Sequence, residues 1–242
     1  MILYVNGDSH SAGAEAIYPE CSVCDNDKYH PSYVDEHFYF WNNEKIFAPY
    51  PDNLEVSYGK LLANKLGAKL HCHARAAGSN DRIIRTTYEY LSDYRPDFIL
   101  IGWSTWEREE WYNDEDNQWY QVNGSGVDIV PEKWTDRYKQ FVIKVDWNEK
   151  IKEAHEKIWN FHKDLNTRNI PHLFFNCQLT FNDLLYGKKD WGTNYLWPYS
   201  PDLSYGKYLE SQGCKHNKWY HFDADAHKKW ADFLYPHLTA LL

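Results

Sequence analysis

At 242 residues, with 43% of them hydrophobic, the chain has the size of one larger domain and enough apolar residues for a buried core, so disorder is not the default. Its net charge is −9, with 35 Asp and Glu against 26 Lys and Arg and no basic block, so the positive stripe that grips nucleic acid is absent. No stretch approaches the ~18 uninterrupted apolar residues of a membrane span.

Residues 1–6 read as a short buried strand that breaks at Asn6-Gly7. Residues 14–52 are rich in Tyr, Phe, Pro, Asp and Asn without a period, and read as a long excursion. Between Leu54 and Leu66 the apolar residues Val56, Leu61, Leu62 and Leu66 have helical spacing, and Gly67 is a helix stop. Ala68 to Ala74 is the second strand. Ser79 can cap a helix that carries Ile83, Ile84, Thr87, Tyr88 and Leu91 on one face. Phe98-Ile99-Leu100-Ile101, after Pro96-Asp97, is the clearest buried strand. Residues 105–130, rich in Trp and acids and ending in Asn123-Gly124-Ser125-Gly126, form a second loop or hairpin excursion. Helical spacing returns at Ile151, Ala154, Ile158, Phe161 and Leu165; His172 to Asn176 is the fourth strand. A third irregular stretch covers roughly 180–220, and a last helix runs from about Asp225 through Trp230, Phe233 and Leu234.

Strands alternating with helices predict a single domain over 1–242, a three-layer α/β/α sandwich with a mostly parallel sheet and long aromatic-rich insertions. Its crossovers should be right-handed, and its chemistry should gather beyond the C-terminal strand ends. Twelve Trp, 20 Tyr and 11 Phe against one Met supply rings that fill a core and can also stack on sugar faces. Met1 leads straight into Ile2-Leu3-Tyr4-Val5 with no signal-peptide pattern, and five cysteines is an odd number, so reduced thiols in a cytoplasmic setting are expected. Cys21-Ser22-Val23-Cys24 offers two thiolates where zinc wants four ligands; His71, Cys72 and His73 could complete a site only by folding back, so free thiols and no metal are expected.

Three strand ends carry candidate chemistry. Gly7-Asp8-Ser9-His10-Ser11-Ala12-Gly13 puts a serine among small residues that allow a sharp turn, where a nucleophile can face an open cleft. Ala77-Gly78-Ser79-Asn80 puts a glycine N–H at a helix N-terminus, the kind of donor an oxyanion needs, and Asn80 reads either as a second donor or as a first-turn helix residue. Gly102-Trp103-Ser104-Thr105 follows the third strand, with Glu107 and Arg108 read first as a surface pair and second as offering a substrate-binding Arg. Late in the chain, Tyr220-His221-Phe222-Asp223-Ala224-Asp225-Ala226-His227 supplies an imidazole as general base.

Taken in order, these blocks resemble the SGNH (GDSL-like) serine hydrolases, and most of all phage-encoded members. The resemblance implies an SGNH, flavodoxin-like fold, an esterase with Ser9 as nucleophile, and an oxyanion hole from the N–H groups of Ser9 and Gly78. It covers nearly the whole chain, but only the first two blocks follow the family closely. Where the third block carries an oxyanion Asn, this chain has Ser104, so Ser104, Thr105 or Asn80 is left to fill the role. Where the last block carries Asp three residues before its His, this chain has Lys218 before His221. Either His221 is the base, oriented by Asp223 or a carbonyl, or His227 is the base with Asp223 or Asp225. His221 is preferred because it precedes the helix.

No cofactor is implied. The expected partner is a small-molecule or glycan ester, with O-acetylated carbohydrate favoured by the aromatic content, and a phage-encoded protein could be virion-associated. Two other readings stand beside this one. The missing Asp and Asn also suit a catalytically impaired binding or phage structural module, and Asp8, His10, His221 and His227 could serve a metal-dependent phosphoesterase.

Overall fold

The computed structural model describes residues 1–17, 51–124 and 130–242. Cys21 and Cys24, and most of the excursion expected over 14–52, lie outside the described residues. In chain order the elements are β1 (Ile2–Gly7), α1 (Pro51–Glu55), α2 (Tyr58–Leu66), β2 (Lys69–Cys72), α3 (Asn80–Asp93), β3 (Phe98–Trp103), β4 (Glu109–Asn113) and β5 (Gln118–Val122). There follow α4 (Thr135–Lys144), α5 (Trp147–Thr167), β6 (His172–Asn176), α6 (Asp183–Tyr186), β7 (Tyr195–Leu196), α7 (Tyr205–Ser211) and α8 (Ala224–Thr239).

Five strands form one parallel sheet in the order β2-β1-β3-β6-β7. Side chains alternate across it, and both faces are apolar. Leu3, Val5, Leu70, Leu100 and Phe175 pack with Tyr58 and Leu62 of α2, Leu209 of α7 and Trp230 and Leu234 of α8. Tyr4, Ile99, Ile101 and Phe174 pack with Ile83 and Tyr90 of α3 and with Ile158, Phe161 and Leu165 of α5. Helices thus cover both faces, and the result is the expected α/β sandwich. Among the described residues, no helix is long and apolar enough to cross a membrane.

Local chemistry accounts for the departures. The helix expected from Leu54 to Leu66 is two helices, because Ser57 is extended (φ −62°, ψ 150°) and its side chain accepts from Lys60 N as an N-cap. The second excursion contains the antiparallel hairpin β4–β5, on which Trp111 and Val122 pack with Tyr138 of α4. The stretch 180–220 holds α6, β7 and α7.

Two residues at the end of β1 prepare the site. Asn6 is fully buried; its Nδ2 lies 3.0 Å from Tyr4 Oη, Thr86 Oγ1 and Thr87 Oγ1, and its Oδ1 accepts from Gly7 N at 2.8 Å. This ties the strand end to α3, and an unpaired polar group there would cost ~1–3 kcal/mol. Gly7 stands opposite Gly102 of β3, and a Cβ on it would fall 2.0 Å from Ser11 Oγ and 2.8 Å from Gly102 O. Only glycine lets the chain turn so close to β3.

Candidate active site

After Gly7 the chain makes a compact turn, closed by Ala12 N to Asp8 O (3.0 Å) and Ala14 N to Ser9 O (2.9 Å). Ser9 begins this turn, beyond the C-terminal end of β1. Its hydroxyl lies 2.8 Å from His221 Nε2. The residue is 5% exposed, with the imidazole across it.

His221 sits in a short loop built by Asn217. The Asn217 side-chain carbonyl accepts from Trp219 N (2.8 Å) and His221 N (3.1 Å), and Asn217 N donates to His221 O (2.9 Å). Tyr220 takes a left-handed φ of 65° to close the loop. Ala224 N donates to Ala16 O at 3.2 Å, which pins the start of α8 to the nucleophile turn.

The second imidazole nitrogen, His221 Nδ1, lies 3.0 Å from Glu15 Oε2. The Glu15 side chain is 1% exposed, and the same oxygen accepts from Asn217 Nδ2. A carboxylate only accepts, so Nδ1 carries the proton and the Nε2 lone pair faces Ser9. Glu15 itself has φ 61°, a conformation rare for a residue with a Cβ and one that clusters at functional sites. Sequence reasoning missed Glu15, which falls inside the excursion read over 14–52. The available signal was one acid among the small residues of Gly13-Ala14-Glu15-Ala16, six positions after the serine.

Asp223 does not orient His221. It is the N-cap of α8, and its Oδ1 accepts from Ala226 N at 2.9 Å, since an aspartate at this position satisfies an orphan first-turn amide. His227 lies within α8, 1% exposed, stacked on Tyr58 (5.8 Å, 21°), with Nδ1 accepting from Tyr58 N at 3.3 Å. Burial pushes its pKa down to about 3, so it is a neutral packing residue. Asp225, the other acid weighed for that register, is in the first turn of α8.

The oxyanion candidates divide. Gly78 packs against the end of β1, where a Cβ would stand 3.3 Å from Gly7 O. Its N–H, however, donates to Arg75 O at 3.0 Å and closes a turn, so it is not the free donor expected. Asn80 also turns away: its Oδ1 accepts from Ser104 N (2.9 Å), and its Nδ2 faces the carbonyls of Ser104 (3.1 Å) and Thr105 (3.5 Å). Thr105 Oγ1 donates to Glu107 at 2.6 Å. Ser104 Oγ accepts from Arg108 Nη1 at 2.8 Å, and the same nitrogen reaches Asp8 Oδ2 at 3.2 Å. Arg108 is therefore not half of a surface pair with Glu107; it answers the buried charge of Asp8.

His10, beside the nucleophile, is buried with its ring centre 5.4 Å from that of His221, and desolvation lowers its pKa to about 4. Among the described residues, no three His, Cys, Asp or Glu side chains are grouped to hold a metal, so Asp8, His10, His221 and His227 do not form such a site. A groove of about 350 Å³ lies elsewhere, lined by Ile84, Arg85 and Tyr88 of α3 and Lys157 and Phe161 of α5, and includes none of these residues.

The comparisons with known proteins fit this picture only loosely. A family model described as a family of unknown function (DUF6071) matches residues 51–166. No curated protein matches the chain. Among solved structures, the chain is similar to an acetyl xylan esterase from the rumen bacterium Butyrivibrio proteoclasticus, at 14% identity and a TM-score of 0.40 over 98% of this chain and 64% of that one. It is also similar to a Corynascus thermopiles (Myceliophthora fergusii) carbohydrate esterase family 2 enzyme with a carbohydrate-binding domain, at 13% identity and a TM-score of 0.48, covering 99% of this chain and 66% of that one. A third is a carbohydrate esterase with divergent catalytic and non-catalytic binding functions, at 14% identity and a TM-score of 0.40, covering 98% and 68%. The chain thus spans about two thirds of the length of each of these structures.

Proposed function

We propose that the protein is a serine esterase in which Ser9, His221 and Glu15 form a proton relay. The observation that carries this reading is the unbroken line of hydrogen bonds from Ser9 Oγ through both imidazole nitrogens to a buried carboxylate. Such a line is what activates a hydroxyl at neutral pH. Ser9 Oγ attacks an acyl carbonyl while His221 Nε2 takes its proton, and the Glu15 carboxylate stabilises the imidazolium. The C–O bond to the alcohol then breaks, and the leaving oxygen takes the proton from Nε2. Water repeats the sequence on the acyl-enzyme and releases the acid.

The proposed substrate class is O-acetylated carbohydrate. Trp219 and Tyr220, both more than half exposed, immediately precede His221 and offer ring faces for a sugar. The small residues of the nucleophile turn suit a short acyl group.

The test is hydrolysis of a chromogenic acetyl ester and of acetylated oligosaccharides, with Ser9→Ala as control and fluorophosphonate labelling located by mass spectrometry. Turnover lost in Ser9→Ala and a label on Ser9 are expected. The 5% exposure of Ser9 favours a second reading, a silent site on a binding module. No turnover by the wild type across an ester panel decides for it, and a label on another residue counts against Ser9 as the nucleophile.

A further inference from the structure

We propose that His10 is a positioning residue for the base His221, held uncharged beside it by Gln178. This rests on Ser9 and His221 being the nucleophile and its base. The sheet sets the positions. His10 follows Ser9 in the turn after β1, and Gln178 stands two residues past Asn176, the end of β6. Gln178 Nε2 donates to His10 Nε2 at 3.0 Å, so the loop after β6 reaches across β3 to the nucleophile turn. The His10 ring is set against His221 in a T, with ring centres 5.4 Å apart at 75°.

The packing behind the base is continuous. His10 also lies against Tyr205 of α7, with ring centres 5.4 Å apart. Tyr205 in turn is edge-on to Phe222, the residue after His221, at 5.5 Å and 89°. His221 and Phe222 therefore lean on His10 and Tyr205, a support separate from the hydrogen bonds of Glu15 and Asn217. His10 is 5% exposed and Tyr205 fully buried, and close-packed interior rings hold one another in place.

Hydrogen bonding sets the charge state of His10. An amide nitrogen only donates, so His10 Nε2 accepts from Gln178 and the ring proton sits on Nδ1. That Nδ1 is buried, with no partner among the described residues. Protonating the ring would turn Nε2 into a donor aimed at another donor, in a site with little water to answer the charge. Burial holds the His10 pKa down to about 4. Of the groups that face it, Asp8 of its own turn favours charge, while Arg108 after β3 and His216 and His221 before α8 oppose it. Tyr205 of α7 and His227 of α8 face it as neutral rings. The benefit falls to catalysis. During attack the His221 ring becomes an imidazolium, which a second charged ring beside it would oppose and a neutral one does not. The alternative is that His10 and Gln178 only tie the loop after β6 to the turn.

The experiment uses His10→Ala, His10→Phe, Gln178→Glu and the double variant His10→Phe with Gln178→Glu. Each is assayed for acetyl-ester kcat and KM from about pH 5 to about pH 9, with a thermal melt as folding control. His10→Ala should lower kcat by ~10-fold with KM within about threefold, and His10→Phe, which restores a ring, should recover most of that loss. Gln178→Glu supplies a carboxylate that accepts from Nε2–H, so His10 can charge near neutrality. Its kcat/KM should fall ~10-fold below the wild type under about pH 6.5 and rejoin it near about pH 9, an extra ionisation that the wild type and the double variant lack. No extra ionisation in Gln178→Glu, or one that persists in the double variant, overturns this proposal. So does a His10→Ala enzyme within about threefold of wild type. With Ser9→Ala inactive, each of these results leaves the esterase reading standing. A wild type that turns over no ester overturns both. Should the His10 variants fail to fold, NMR titration of the His10 ring in Gln178→Glu decides. The ring should charge at the pH of the extra ionisation, and a ring still neutral there overturns the proposal.

Discussion

Replacing Glu15 with Gln keeps the shape of the side chain and removes its charge. Glu15 Oε2 stands 3.0 Å from His221 Nδ1, and its side chain is 1% exposed. At an effective dielectric near 20, a unit charge pair at this separation is worth about 5 kcal/mol. That is an upper bound on what the charge gives the imidazolium, and it corresponds to at most ~10⁴-fold in kcat at ~1.4 kcal/mol per decade. Glutamine adds a second fault. Its amide N–H can donate to Nδ1, which selects the tautomer whose Nε2–H points at Ser9 and cannot accept the proton. The same kind of amide substitution in a serine protease triad costs ~10⁴. We therefore expect Glu15→Gln to lower kcat on an acetyl ester by ~10³–10⁴-fold with KM little changed, and Glu15→Asp, one methylene short, to fall between it and wild type. Steady-state kinetics with a thermal melt as folding control measures this. A folded Glu15→Gln enzyme within about tenfold of wild type would refute the relay.

Two further predictions concern residues outside the relay. His227→Leu should cost ~1–3 kcal/mol in a urea titration, because the Tyr58 N–H loses its acceptor, while kcat changes only a few-fold; a kcat loss above ~10²-fold with the fold intact would return His227 to the chemistry. Acid should also weaken the fold through its buried imidazoles. Burial holds His10, His71 and His172 down to about 4 and His227 to about 3. Unfolded, each titrates near the ordinary ~6.5, so between these values the unfolded chain binds protons that the native state refuses. The stabilisation is complete above the unfolded value and is lost as pH falls, at about 1.4 kcal/mol per pH unit for each group. Urea midpoints should drop steadily from pH 7 to pH 4.5, and a flat profile would contradict the assignment of neutral buried rings.

The parts of the fold that were legible are those where one local rule decides. β1, β3 and β6 are apolar runs because both faces of a parallel sheet are covered, and Ser79 caps α3 as its position suggests. Elsewhere tertiary context decides. α4 buries only Tyr138, so it shows almost no apolar stripe, and β7 is two residues that exist as a strand through their pairing with β6. The site divides in the same way. The positions of Ser9, Gly78, Ser104 and His221 follow from strand ends and helix starts. The partner of each polar group does not. Gly78 spends its N–H locally, Asp223 caps a helix, and the acid facing His221 arrives from a turn whose sequence looks like filler.

That turn has a mechanical consequence. Ser9 and Glu15 belong to one rigid bend, braced by backbone bonds from 8 to 14, while His221 belongs to a separate loop docked by Asn217 and by the Ala224–Ala16 contact. The imidazole is clamped between two jaws of the same piece of chain. A slip of the loop by about an ångström would loosen both jaws at once, since each bond tolerates only a few tenths of an ångström. Reactivity at Ser9 would then switch off as a unit, and labelling of that serine would serve as a gauge of how firmly the C-terminal helix is seated.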